Sequence, residues 1–143
     1  KIEWNANRIL SKVNYVVHTD AIKNFIVPTL TEEQKRFVYA EEADVLNVAL
    51  FGMTAKEWRE NNSELAKNGN MRDYTDLLHL VILSNLETIN ASLISDNVSQ
   101  RERLIKLNNN ARMQMEALKN NKNIKDLELL ENQINDKILI ENK

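Results

Sequence analysis

Residues 75–96 constrain this chain most. Leu77, Leu78, Leu80, Val81, Ile82, Leu83, Leu86, Ile89, Leu93 and Ile94 crowd into that stretch and, at helical spacing, leave only a narrow polar side. A helix that is apolar almost all round is stable only when neighbours cover it, so the rest of the chain has to build a bundle around it. Composition closes the β alternatives: two Gly and one Pro in 143 residues leave little material for tight turns. The expected fold is all-α, a bundle of about six helices around a long central buried helix.

The neighbours can be read from their spacing. Ala6, Ile9, Val13 and Val16 form one stripe, interrupted at His18, Thr19 and Asp20; a short helical stretch over 20–26 stops before Pro28. Thr31 and Gln34 have capping-box spacing, and the helix they open carries Tyr39, Ala43, Leu46 and Leu50 on one face. Gly52 stands where a left-handed C-terminal cap is wanted, and Thr54 with Glu57 starts a short helix that holds Trp58. Residues 61–74 are rich in turn formers and read as the long loop. Ser99 and Glu102 give a third box, followed by the stripe Leu104, Leu107, Ala111, Met115 and Leu118. Met113 and Met115 read as core gap-fillers, and Trp4, Trp58 and Tyr74 as packing anchors. The last segment repeats Leu127, Leu130, Ile134 and Ile138. The expected division is a bundle over 1–119 and a helical tail over 120–143, packed on the bundle or on a second copy.

Several classes of chemistry are excluded. Without Cys there is no disulfide scaffold, thiolate zinc site or Cys nucleophile. Two Gly cannot make a glycine-rich phosphate loop, and no Ser has a nucleophile-elbow setting. Glu41, Glu42 and Asp44 splay around a helix and read as a solvated acidic face. The longest unbroken apolar run, Leu80 to Leu83, is far short of a bilayer span, and no signal peptide opens the chain. The expectation is a cytoplasmic protein without a membrane, cofactor or small-molecule substrate. Lys1 in place of Met reads as the start of a piece of something longer.

Three constellations remain. Asp76 and His79 share a helix face and, with Glu87, make a candidate metal site for a small hydrolase; a core His79 bonded to a backbone carbonyl is the plainer reading. His18, Thr19 and Asp20 sit at a helix junction, where they are ordinary caps. The stronger lead is charge. The total is −2, but residues 99–125 hold seven Lys and Arg against two acids. Arg101, Arg112 and Lys119 line one flank of the apolar stripe, and Arg103 and Lys106 project from the back. Such a row suits phosphates or an acidic partner. Without interleaved Tyr or Phe it does not suit base stacking, and a solvated face is the plainer reading.

Ordered strings carry a resemblance. They begin with Glu3-Trp4, Arg8-Ile9-Leu10-Ser11-Lys12-Val13-Asn14-Tyr15 and His18-Thr19-Asp20-Ala21-Ile22-Lys23. Next come Tyr39-Ala40-Glu41-Glu42-Ala43-Asp44-Val45-Leu46-Asn47-Val48-Ala49-Leu50-Phe51-Gly52 and Thr54-Ala55-Lys56-Glu57-Trp58-Arg59. Gly69-Asn70-Met71-Arg72-Asp73-Tyr74, Leu83-Ser84-Asn85-Leu86-Glu87 and Glu102-Arg103-Leu104 complete the order. Over residues 3–119 the chain resembles the region that follows the DNA-binding domain in bacterial and prophage KilA-N domain-containing proteins. It departs at Ser63, where a Pro is often seen, and in the Asn-rich stretch before Gly69. The resemblance implies a phage-derived DNA-binding regulator whose DNA-reading unit lies outside this chain. This chain would then be a non-catalytic C-terminal module for homodimerisation, partner binding or placement of that unit. No catalytic residue carries over. Asp44, Asn47, Arg72, Asp73 and Tyr74 lie within these strings and read first as a structural polar network: an Arg72–Asp73 pair and the Tyr74 hydroxyl locking the loop, with Asp44 and Asn47 bonded to it.

Overall fold

The computed structural model describes residues 27–119 and 122–141. The stripe of Ala6, Ile9, Val13 and Val16, the junction at His18, Thr19 and Asp20, and Trp4 lie outside the described residues. Among the described residues the chain forms seven α-helices, one 3₁₀ turn and no strand. They are α1 (Glu32–Arg36), α2 (Glu42–Phe51), α3 (Ala55–Asn61), α4 (Ser63–Ala66), α5 (Leu77–Ser95), α6 (Gln100–Leu118) and α7 (Lys122–Glu141). The protein is an all-α bundle.

The apolar run forms α5. Asp76 caps it, its carboxylate accepting the His79 N–H at 2.8 Å, and Leu77, Leu78, Leu80, Ile82, Leu83 and Leu86 are buried. α5 ends without a glycine: Asn97 takes the left-handed conformation (φ 60°), and the Val98 N–H returns to the Leu93 carbonyl at 3.0 Å. α2, α5 and α6 pack on one another and enclose the core, which joins Val45, Val48 and Leu50 to Leu104, Leu107 and Ala111. α7 lies against α5. By length and a mean hydropathy of 1.5, α5 is long and apolar enough to cross a membrane. The shortness of its unbroken runs conceals this. In this structure Leu77, Leu78, Leu80, Ile82, Leu83 and Leu86 are buried and Ile89 and Leu93 lie against the core, whereas Ile94 near the C-terminal end is 45% exposed.

Local signals place most helix ends. Thr31 and Gln34 close a reciprocal box at 3.0 and 2.9 Å, and Thr54 and Glu57 do so at 3.2 and 3.0 Å. Gly52 is left-handed (φ 73°), and a Cβ on it would meet Pro28 Cγ at 2.5 Å. Three expectations are corrected. The helix opened by Thr31 stops at Arg36 and a second begins at Glu42, because the Gln100 amide grips the main chain between them. It accepts from Tyr39 N and donates to Tyr39 O, both at 2.9 Å. The stretch 61–74 is no open loop: it holds α4 and a 3₁₀ turn at Met71–Tyr74 that Asn70 caps. Met113 is 67% exposed, whereas Met115 is buried.

Candidate functional site

α6 carries most of the candidate chemistry, and its two sides differ. Arg101, Lys106 and Arg112 are exposed, and neither Arg101 nor Arg112 has an ion-pair partner among the described residues. Lys119 is half-buried and pairs with Glu116 at 3.0 Å, a local i,i+3 contact of small worth. A groove of about 1060 Å³ runs beside this side, lined in part by Asn109, Arg112, Met113 and Glu116.

Arg103 does not project from the back of the helix. At 100° per residue it lies roughly 80° from the centre of the aliphatic stripe, on the flank opposite Arg101, and α2 and α5 cover that flank. Its guanidinium grips both oxygens of Glu42 and also donates to Asn90 Oδ1 at 2.9 Å and to the Val98 carbonyl at 3.0 Å. Asn90 completes the cluster by donating to Glu42 Oε1 at 3.0 Å. The Arg103 hydrogen bonds hold the Glu42 carboxyl below its ordinary value; burial opposes them and Asn90 adds to them. Glu42 is therefore a structural anion, not part of a solvated acidic face. Further along α6, the Asn108 amide donates to the Pro28 and Ala49 carbonyls, each at 2.9 Å. The phosphate-type candidates thus divide: Arg101, Lys106 and Arg112 face outward, Lys119 is locally paired, and Arg103 is committed to the interior.

The five residues of the expected polar network fall in two separate places, with partners other than those expected for Asp44, Asn47 and Arg72. Asp44 accepts from the Ala55 N–H at 3.1 Å and from Asn47 Nδ2 at 3.4 Å, so this pair fastens the start of α3 rather than the 61–74 stretch. At the second place Asp73 accepts from Asn70 N at 2.9 Å, and the Tyr74 hydroxyl donates to the Leu65 carbonyl at 2.8 Å. Arg72 reaches across to Glu87 on α5, at 3.6 Å. Trp58 stacks on Tyr74 with centroids 5.5 Å apart, which anchors α3 on the turn.

The metal reading fails on geometry. No group of three His, Asp or Glu able to hold a metal ion occurs among the described residues. Glu87 is directed to Arg72, while His79 Nδ1 lies 2.8 Å from Asp76 Oδ1 and the ring stacks on Phe51 at 5.6 Å. His79 is a core residue, but its partner is the capping carboxylate, not a backbone carbonyl. Tyr39, beside a hollow of about 380 Å³ bordered by Phe37 and Glu57, donates its hydroxyl to the Gln34 carbonyl at 3.2 Å. Burial first, then Glu57 and Asp44, raise the pKa of that hydroxyl, so it stays a proton donor.

Sequence reasoning missed Asn90, Gln100 and Asn108. Asn90 and Asn108 stand beside apolar stripes, and that position is the available signal; Gln100 lies in line with the stripe, one turn before Leu104. Comparison with protein-family models, curated proteins and solved structures finds no match for this chain.

Proposed function

We propose that this chain is a non-catalytic helical module of a phage-derived, KilA-N-type DNA-binding or regulatory protein, working by self-association or partner binding. One observation carries the reading. The distinctive polar and aromatic residues within the shared strings are spent inside the fold: Glu42 on Arg103, Asp44 on the α3 N-terminus, Trp58 on Tyr74 and Tyr74 on the Leu65 carbonyl. Such strings preserve a framework rather than a reactive centre. The outward side of α6 presents exposed cations and Met113 for recognition. Size-exclusion chromatography with light scattering tests self-association. A concentration-dependent dimer is expected, and a clean monomer at millimolar concentration removes that part of the reading.

A second reading is favoured by the exposure of Arg101 and Arg112. Here the module itself touches nucleic-acid phosphates, helped by Lys119, and binding falls steeply with salt. The variant Arg101→Ala, Arg112→Ala, Lys119→Ala, joined to its DNA-binding domain, decides it: affinity equal to the parent's excludes the contact.

A further inference from the structure

The outward side of α6 has a pattern that neither the core nor the basic flank explains. Glu102, Lys106, Asn109, Met113 and Glu116 are all exposed and are spaced four, three, four and three. That spacing puts five side chains on one line, the arrangement by which two helices pack along a seam. Met113 is its large apolar member at 67% exposure, and the groove of about 1060 Å³ opens beside it.

The charges along this line are self-complementary in one orientation. From the N-terminal end they run acid at Glu102, base at Lys106 and acid at Glu116, with the base Lys119 on the flank. A copy laid parallel and in register sets Lys106 against Lys106 and Glu116 against Glu116. A copy laid antiparallel with Met113 opposite Asn109 sets Lys106 against Glu116 of the second copy and brings Glu102 near Lys119 of the second copy. The two-fold axis makes each pair twice.

We infer that a second copy of this chain docks antiparallel along the Glu102–Lys106–Asn109–Met113–Glu116 line of α6, seating Met113 in its neighbour's groove. The inference rests on reading the chain as an assembly module and specifies the face and register. With one large apolar residue per side and a polar seam, the dimer is reversible and weakens with salt.

Sedimentation equilibrium on the whole chain, from micromolar to millimolar, tests this. The parent should show a monomer–dimer equilibrium. Met113→Glu and Lys106→Glu should each raise the dissociation constant about tenfold or more, because each places like or unpaired charge in the seam twice. Adding Glu116→Lys to Lys106→Glu should restore the parent's constant to within about threefold. Residues ten apart on a helix do not touch in cis, so recovery has to come through a second copy. All three positions are exposed, and circular dichroism checks that the variants keep the parent's fold. A dimer indifferent to the single variants, or one the double variant fails to restore, overturns the seam while leaving the assembly reading intact. A parent chain monomeric throughout removes both the seam and self-association.

Discussion

The two sides of α6 put the same residue types to opposite uses. On the inward side Arg103 is buried against Glu42 and Asn90, Asn108 bridges two carbonyls, and Met115 fills the core. On the outward side Arg101, Asn109 and Met113 stand in solvent. Arg, Asn and Met therefore occur on both sides, and residue type says little about role here. What separates the sides is α2 and α5, which lie against one of them and turn each polar group there into a group that must be bonded.

Paired substitutions sharpen this contrast. The largest difference is expected between Leu107→Ala and Met113→Ala. Leu107 is fully buried, so its truncation should cost about 3–4 kcal/mol in urea unfolding. Truncating Met113 should change monomer stability by no more than about 0.5 kcal/mol. Next comes Arg103→Met against Arg101→Met. Breaking a buried pair costs roughly 3–5 kcal/mol, and the 43% exposure of the Glu42 side chain places Arg103→Met near the lower end, about 3 kcal/mol. Arg101→Met should be silent, within about 0.5 kcal/mol. Comparable losses from the two arginine variants would break the comparison.

Asn108→Ala should cost about 2 kcal/mol by stranding the Pro28 and Ala49 carbonyls, with Asn109→Ala as its silent neighbour. The smallest effect is on acidification. Glu42 is held below its ordinary value of 4.5, so its contribution is complete above that pH and is lost as pH falls through the lower value of the folded protein. Arg103→Met should flatten that acid limb in unfolding curves taken across the window, while Arg101→Met should leave it unchanged.

Much of this fold is legible locally. The boxes at Thr31 and Thr54 and the left-handed Gly52 need only three or four neighbouring residues, and the apolar density of residues 77–86 needs none beyond itself. Features set by distant partners are not. The break after Arg36 depends on Gln100, 61 residues past the Tyr39 it grips, and Asn108 acts on carbonyls 59 and 80 residues away. Arg103 sits on a stripe flank, and only the approach of α2 and α5 decides that this flank is inside. The outward line of α6 is readable as spacing, but its exposure becomes evident only once the opposite side is covered.

The most direct measurement follows the methyl groups of Met113 and Met71 by NMR in a dilution series of the methionine-labelled chain. Met113 is exposed on α6, whereas Met71 is buried with Trp58 and Tyr74 and does not line the groove. With the seam formed, the Met113 resonance moves with protein concentration while that of Met71 stays fixed. Equal movement of the two, or no movement of Met113 up to millimolar concentration, would contradict the seam.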